Sequence, residues 1–347
     1  MRFFITASVV AVISLGAGCT SAPTRQSLPR PRYTLEMAQT WKLNLPGGER
    51  FDASGLFLTR NGELLTVNDR ALAVYRIHFL PGASAADLVK LPDCFTPAQV
   101  AAFAGERTDR YDIEGVTEDT LQRIYLCDEA DRWVLRFDPR LHTVERLQID
   151  WAPVQKYFNP ADRNASFEGI AVGDGTLYVA NERERGRIIV VDLVTLKVVG
   201  DFEVRSSVVS LWGPHYSDLC WFRGELYVLM REDHRILRVN PHSHQVLAEY
   251  DFSKVESAPE NKYRKLYWFA GVMEGLAVDE NNFWLVTDNN GLGRESDPND
   301  RRPTLFRCPR PDAANTNVVQ PEKRGSELFL APKSASACRW LPFVNRP

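Results

Sequence analysis

Short stretches of alternating apolar and polar residues, separated by polar turns, recur along most of the chain. Five segments share this pattern, and successive segments begin 49 to 60 residues apart, at Ser54, Glu114, Glu168, Ser217 and Glu274. In each segment a first strand leads through a turn containing Gly, Asn or Asp into a second strand rich in Leu, Tyr, Val and Trp. This pattern predicts a β-hairpin.

Further apolar strands follow the hairpins, as in WVLRFDP, IIVVDL and ILRVNP, and three repeats add a fourth strand. Four short antiparallel strands at this period predict the blade of a β-propeller, an all-β fold. A two-sheet sandwich would explain neither the period nor the acid or serine that opens each repeat. One helix is predicted, at TPAQVAAFAGE, with Thr96 as N-cap and Pro97 in the first turn.

The number of blades depends on the ends of the chain. The five repeats leave residues 33–53 and about 312–347, which together are about one repeat long. We therefore expect a six-bladed propeller whose last blade is shared by both termini, because sharing would close the ring and hide its edges. In that arrangement the segment TLEMAQTWKL is an outer strand. Five blades with loose termini is the alternative.

The N-terminus has the pattern of a secretion signal. A basic residue and an apolar stretch, residues 3–15, precede three small residues, 16–18, and then Cys19. This arrangement resembles the lipobox of bacterial lipoproteins. The resemblance implies cleavage after residue 18 and a lipid anchor on Cys19. Because Thr20 is not an Asp, it also implies the outer membrane, facing the periplasm or the exterior. Ordinary secretion with an unmodified Cys19 is the alternative.

The remaining organisation is simple. Residues 19–32 contain Pro, Ser, Thr and Arg without apolar periodicity, which predicts an extended tether. We expect residues 1–18 to be the signal peptide and residues 33–347 to form a single propeller domain in the bacterial cell envelope.

Composition limits the possible partners. Hydrophobic residues make up 44% of the chain and charged residues 25%, which is ordinary for a globular protein. The formal net charge is −3, so no global positive field exists to hold nucleic acid.

Five cysteines remain besides Cys19, so at least one is unpaired within the chain. Cys127 and Cys220 lie in apolar strand patterns, and we expect them to be buried thiols. Cys308 and Cys338 are the expected disulfide.

Polar residues should converge at one mouth of the central channel. The first strand of a blade lines the channel, and an antiparallel hairpin brings the end of its second strand back to the same edge. The opening Ser or Glu of each repeat should therefore lie beside the polar residues that follow the second strand, among them Asp128 and Asp288.

Glutamates crowded at a channel mouth repel one another unless a cation neutralises them. Glu114, Glu168 and Glu274, with Asp128 and Asp288, offer only oxygen ligands, which suits Ca²⁺ better than Zn²⁺. Alternatively, each glutamate caps backbone N–H groups of the neighbouring blade and binds no metal.

Four basic residues are candidates for ligand binding or catalysis. Arg70, Arg183 and Arg231 follow the second strand in three repeats, and a guanidinium recognises carboxylate or phosphate. These arginines predict a small anionic ligand, with surface ion pairs as the alternative. His215 comes two residues before Ser217, so it should reach the mouth as an acid–base group. A loop histidine without such a role is the alternative.

The repeated Glu-Gly, followed about 14 residues later by Asn-Asp-Arg, Asn-Glu-Arg or Asp-Asn-Asn, resembles the phytase-like (esterase-like activity of phytase) β-propeller family. FEGIAVGDGTLYVANERERGRIIVVDL and MEGLAVDENNFWLVTDNNG carry most of the likeness, which extends from Phe51 to Pro309. The resemblance implies hydrolysis of esters or phosphoesters at a metal-supported mouth. Ser54 and Ser217 stand where the other repeats have the glutamate.

Two functions therefore remain open. The first is an envelope-anchored, calcium-supported hydrolase of a small anionic ester. The second is a non-catalytic ligand-binding or scaffold propeller whose glutamate ring is structural.

The lipid anchor is directly testable. We expect the full chain, expressed in a bacterium, to incorporate a palmitate analogue and to sediment with membranes, because Cys19 follows a run of small residues. Cys19→Ser should abolish the label and release the protein from the membrane fraction. Equal labelling of both proteins would exclude Cys19 as the modified residue.

Overall fold

The computed structural model describes residues 29–107, 110–159, 161–162, 165–182, 186–209, 213–265 and 271–313. Helix is scarce in this part of the chain: α1 (Pro97–Ala104), α2 (Ser253–Glu256) and a 3₁₀ turn, Ala152–Tyr157. None of these helices is long and apolar enough to cross a membrane. The rest of the regular structure is β-strand, which confirms the predicted all-β class.

The N-terminal part contributes two strands, β1 (Arg32–Thr34) and β2 (Gln39–Asn44). Blade 1 follows, with β3 (Ala53–Leu58), β4 (Leu64–Asn68), β5 (Ala71–Phe79) and β6 (Ala85–Lys90). Blade 2 contains β7 (Ile113–Glu118), β8 (Ile124–Asp128), β9 (Trp133–Asp138) and β10 (Thr143–Arg146). Blade 3 contains β11 (Phe167–Gly173), β12 (Thr176–Asn181), β13 (Arg187–Asp192) and β14 (Lys197–Phe202).

Blade 4 contains β15 (Asp218–Phe222), β16 (Glu225–Met230), β17 (Arg235–Val239) and β18 (Val246–Asp251). Blade 5 has only three strands of its own, β19 (Met273–Val278), β20 (Asn282–Thr287) and β21 (Thr304–Pro309). The N-terminal strand β2 completes blade 5 by pairing antiparallel with β21. On its other side β2 pairs parallel with β6 of blade 1, and β1 pairs parallel with β18 of blade 4.

The five inner strands form a closed ring. Each packs on the next in the order β3, β7, β11, β15 and β19, and β19 packs on β3 again. The approach is close enough to require glycine. A Cβ on Gly169 would lie 2.5 Å from the backbone of Asp218, and a Cβ on Gly275 would lie 2.9 Å from the backbone of Gly55. Glycine therefore follows the repeated glutamate because a neighbouring strand occupies the space of a side chain.

The described residues contain five blades rather than the six expected, and the N-terminus is not loose as in the five-blade alternative, because β2 pairs with β21 and β6. The predicted outer strand TLEMAQTWKL exists, but it is the fourth strand of blade 5 rather than part of a sixth blade. Direct packing of β19 on β3 leaves no place for another inner strand. Residues 314–347 lie outside the described residues, so the predicted end of the domain stays a prediction.

Five clusters of buried apolar side chains fill the five interfaces between neighbouring blades. Between blades 4 and 5, for example, the ring centroids of Tyr250 and Phe283 are 4.6 Å apart. The predicted helix α1 joins the cluster between blades 1 and 2 through Val100 and Phe103. Thr96 caps this helix as predicted.

The described cysteines are buried thiols. Cys94, Cys127, Cys220 and Cys308 are all free, which confirms the prediction for Cys127 and Cys220. Cys338, the expected partner of Cys308, lies outside the described residues, as do Cys19 and the whole predicted signal peptide.

One buried carboxylate crosses the channel. Asp218 replaces, in blade 4, the glycine of the other inner strands, and its side chain is inaccessible to solvent. Its Oδ2 accepts hydrogen bonds from Leu276 N of blade 5 (2.8 Å) and Leu56 N of blade 1 (3.2 Å), and its Oδ1 accepts one from Leu219 N (2.8 Å). Burial raises the pKa of Asp218 well above its usual value, although the three amides oppose this shift. Asp218 thus joins three blades at the axis.

We expect Asp218→Ala to lower the free energy of unfolding by about 3 kcal/mol or more, because three buried N–H groups lose their acceptor. Ser217→Ala is the matched control. The hydroxyl of Ser217, the residue before Asp218, is also buried but has no hydrogen-bond partner. Its loss should therefore change the free energy of unfolding by less than about 1 kcal/mol. Denaturant unfolding measures both, and equal effects would contradict the role assigned to Asp218.

Candidate functional site

A β-bulge shapes the mouth, the end of the channel at which the inner strands begin. In blades 2, 3 and 5 the pairing register shifts after the first residue of the inner strand. One residue there has no partner on the second strand. That residue is the repeated glutamate: Glu114, Glu168 or Glu274. A bulge turns such a side chain away from the regular alternation. It thereby releases the three glutamates from the sheet.

The residue that follows each second strand lies beside the bulge. Four of the five blades carry an acid here, Asp69, Glu129, Glu182 and Asp288, and blade 4 carries Arg231. Because each hairpin is antiparallel, these residues return to the edge at which the glutamates begin.

Two groups of three carboxylates meet between blades 2 and 3. Asp112, Glu114 and Glu129 each offer an oxygen within 4.8 Å of the others, and so do Glu129, Glu168 and Glu182. We call these the two triads. Glu129 belongs to both, and its Oε1 also accepts a hydrogen bond from Ser166 N at 3.0 Å. The triads form a continuous row of acids across two blades.

Electrostatic repulsion in the triads is strong. Burial raises the pKa of Glu114 well above its usual value, and the neighbouring charges of Glu168 and Glu129 raise it further. Burial likewise raises the pKa of Glu129, with additional repulsion from Glu168 and Glu182. Both carboxyls are therefore held in a place that favours a proton or another cation.

The side of the mouth formed by blades 3 to 5 contains its own cation, Arg231. Its Nη2 donates to Glu182 Oε1 at 2.7 Å, and its Nε donates to Glu232 Oε1 at 3.0 Å. Its Nη1 donates to Glu274. The guanidinium therefore faces three carboxylates, one from each of three blades, instead of open space.

His215 reaches the mouth as predicted, but it is held between two carboxylates. Its Nε2 contacts Glu182, and its Nδ1 lies 2.6 Å from Glu232 Oε2. Burial disfavours the charged imidazole, but the hydrogen bonds to Glu182 and Glu232 outweigh it and raise the pKa of His215 to about 9. This arrangement favours a protonated imidazolium at neutral pH rather than a proton acceptor.

A third acidic group lies between blades 1 and 5. Burial, then the charges of Asp288 and Asp52, raise the pKa of Asp69 to about 8. Burial and Asp52 raise the pKa of Asp288 to about 7. Two arginines at the rim accompany these acids. Arg50 Nε donates to Asp52 Oδ1 at 2.8 Å, and Arg70 lies 3.8 Å from the same carboxylate.

The predicted residues thus have different surroundings. Glu114 and Glu168 belong to the triads, whereas Glu274 contacts Arg231. Asp128 lies apart from the triads: Arg107 donates to both of its oxygens at 3.2 Å, and Asp112 N and Asp131 N donate to it as well. Its carboxylate fixes the loops of blade 2. Arg183 lies outside the described residues.

Sequence reasoning selected Asp128 where the structure brings Glu129 to the mouth. Asp128 still pairs with Ile113 in the sheet, and side chains alternate along a strand, so the next residue faces the other way. Asp112 and Glu182 were likewise not chosen as ligands. The available signal was the position directly after the second strand, which is acidic in four blades.

The strand order and the ring of inner strands identify the fold as a β-propeller. Among solved structures, the chain resembles Myxococcus xanthus glutaminyl cyclase at 12% identity and a TM-score of 0.53, over 81% of this chain and 97% of that one. PQQ-bound aldose sugar dehydrogenase from Streptomyces coelicolor gives 12% identity and a TM-score of 0.43, over 79% of this chain and 98% of that one. At these identities the first likeness supports the propeller fold and no particular activity.

The family model described as phytase-like, esterase-like activity of phytase, matches residues 51–291. The match covers more than half of the chain, so the chain belongs to this family, as the repeated Glu-Gly indicated. The matched residues include both triads. Comparison with curated protein sequences found no match.

The raised carboxyl pKa values predict a pH dependence. Because Asp69 and Asp288 bind protons more tightly when folded, their contribution to stability is complete below about pH 4 and is lost as pH rises through about 7 to 8. In chelator, we expect the free energy of unfolding to fall between pH 5 and pH 8. Asp69→Asn should reduce this fall by about 1 kcal/mol or more, since one pKa unit corresponds to about 1.4 kcal/mol.

Denaturant unfolding at several pH values measures the effect. Asp93→Asn, at an exposed position in the link between blades 1 and 2, is the control and should keep the wild-type slope. A wild-type protein whose stability is constant between pH 5 and pH 8 would contradict the assignment.

Proposed function

We propose that this propeller is a cation-dependent hydrolase of small anionic esters that acts at the acidic mouth. The observation that carries the proposal is the pair of triads that share Glu129. Membership of the phytase-like family supports ester hydrolysis as the reaction class.

The triads fit a hard divalent cation. All of their ligand atoms are carboxylate oxygens, and Ca²⁺ takes six to eight oxygens at roughly 2.3–2.6 Å. Oxygens within 4.8 Å of one another can therefore share one ion. The first triad would hold it with Asp112, Glu114 and Glu129, and the second with Glu129, Glu168 and Glu182. When bound, the cation would supply a Lewis acid and an activated water.

The chain's own groups have complementary tasks. Without a cation, the triads repel an anionic substrate. Arg50 and Arg70 lie at the rim with side chains 44% and 40% exposed, so they can orient the anion. Arg231 and His215 neutralise carboxylates within the mouth and take no part in this contact.

Asp69 is the proposed proton donor. Its pKa of about 8 keeps it protonated at neutral pH, and its buried Oδ1 has no hydrogen-bond partner. A proton on Asp69 can pass to the oxygen of a leaving alcohol. His215, the earlier candidate, has both ring nitrogens on carboxylates and is better suited to positioning Glu182 and Glu232.

A non-catalytic binding propeller is the second candidate. Its support is that Arg231 and His215, the groups first expected to act on substrate, are both bound by carboxylates. In that case the mouth would bind a cation and an anion without cleaving either.

The proposed location follows from the N-terminus. The sequence before β1 predicts a lipid anchor at Cys19, and β1 lies at the outer edge of blade 4. We infer a lipoprotein of the cell envelope whose tether joins the propeller at its rim.

The experiment compares p-nitrophenyl phosphate with the uncharged p-nitrophenyl acetate, in calcium and in chelator. We expect the wild type to hydrolyse the anionic ester faster in calcium and to lose that activity in chelator. Calcium at a hundredfold excess over Kd should also add about 2–3 kcal/mol to the free energy of unfolding. Glu129→Gln should remove most of this stabilisation and lower the rate on the order of 10- to 100-fold.

Glu280→Gln is the matched control. Glu280 is an exposed acid that pairs with Arg223 at 2.5 Å, so its loss should leave both the rate and the calcium response unchanged. Calcium stabilisation without hydrolysis of either ester would favour the binding propeller. Coincident wild-type unfolding curves in calcium and chelator would contradict the metal site itself.

A further inference from the structure

Arg231 occupies a position that is acidic in every other blade. It aligns with Asp69, Glu129, Glu182 and Asp288, each of which follows a second strand. Its side chain is 16% exposed, so the guanidinium lies within the mouth rather than on the surface. In blade 4, a fixed positive charge therefore stands where the propeller otherwise places a negative one.

The carboxylates around Arg231 come from three blades. Glu182 follows β12 in blade 3, Glu232 follows β16 in blade 4, and Glu274 is the bulge residue of blade 5. Each receives a different nitrogen of the guanidinium. The positive charge of the Arg231 guanidinium thus stabilises three carboxylates that would otherwise repel one another.

The electrostatics differ between the two sides of the mouth. Burial alone would raise the pKa of Glu232, but Arg231 and His215 outweigh it and lower this pKa to about 2. In the triads, by contrast, an oxygen of Glu129 lies within 4.8 Å of oxygens from the other carboxylates. Arg231 and His215 supply positive charge on one side of the mouth, and both contact Glu182, which also belongs to the second triad.

Other oxygens near this position are buried and have no hydrogen-bond partner. They are Glu274 Oε2 and the hydroxyl of Ser217, and both side chains are at least nine-tenths buried. Ser217 takes, in blade 4, the place of the glutamates that line the mouth. Buried oxygens near the guanidinium therefore remain that accept no hydrogen bond from it.

We propose that Arg231 is the chain's own counter-ion, which confines divalent cations to the triads of blades 2 and 3. Without Arg231, Glu182, Glu232 and Glu274 would take up one further divalent cation. The first statement rests on the proposed function, because it assumes a cation in the triads. The second depends only on the surroundings of Arg231.

The proposal has a consequence for the substrate. The guanidinium of Arg231 already donates to three carboxylates, so an anion held through a cation would lie against the triads and not on Arg231. Arg231 would then be a positioning residue that determines where the ester lies, without touching it.

The experiment counts calcium ions bound per chain by equilibrium dialysis of the mature protein. Arg231→Gln should bind one more ion than the wild type. Arg231→Lys keeps the positive charge and should bind the wild-type number. Arg231→Gln combined with Glu274→Gln should lose the additional ion. Arg235→Gln is the control, because Arg235 lies next to Asp251 (2.9 Å) and should not affect the count.

The outcomes separate this proposal from the proposed function. A wild type that binds no calcium, with one ion in Arg231→Gln, would support the additional site and contradict the triad site. Equal counts in the wild type and Arg231→Gln would overturn the role of Arg231 and leave the triads intact. If Arg231→Gln folds only in calcium, the proposal is supported, since an ion then replaces the guanidinium. Failure to fold in both calcium and chelator would overturn it.

Discussion

The propeller depends on the contact of its five inner strands at the axis, and the carboxylate of Asp218 completes that contact. In blades 2, 3 and 5 the strands approach so closely that a glycine must follow the bulged glutamate. In blade 4 a side chain occupies the channel and accepts amide hydrogen bonds from blades 1 and 5. The ring is thereby closed at five blades, and the channel is filled directly beneath the mouth.

The mouth is acidic, but its charge is not uniform. Between blades 2 and 3 the carboxylates of the two triads raise one another's pKa, a state that a proton or a metal ion would relieve. From blade 3 to blade 5, Arg231 and His215 already supply positive charge, and the pKa of Glu232 is low. Between blades 1 and 5, Asp69 and Asp288 titrate near neutral pH beside two rim arginines. One surface thus combines crowded carboxylates, a fixed internal positive charge and two carboxyls with raised pKa values.

The repeated Glu-Gly has a single structural explanation. The bulge frees the glutamate from the ladder, and the glycine admits the next inner strand, so each residue needs the other. Where blade 4 departs from this pair, with Ser217 and Asp218, the carboxylate moves from the mouth to the axis. At the end of the same hairpin, directly after β16, Arg231 replaces an acid. Blade 4 therefore departs from the repeat at the start and at the end of its first hairpin, and its charges at the mouth differ from those of the other blades.

The sequence by itself determined the class of fold, the repeated β-hairpins, helix α1 and the buried thiols. It also determined the edge of the blades at which Glu114, Glu168 and His215 lie. Each of these follows from spacing and alternation within one repeat, which are local properties. Tertiary structure alone decided that the ring closes at five blades, that β2 completes the last blade, and that Glu129 rather than Asp128 joins the triads. It also decided that Arg231 and His215 are bound by carboxylates. These features depend on contacts between blades far apart in the chain, where the space left by a glycine or the reach of a guanidinium determines which charges meet, and no local pattern records that distance.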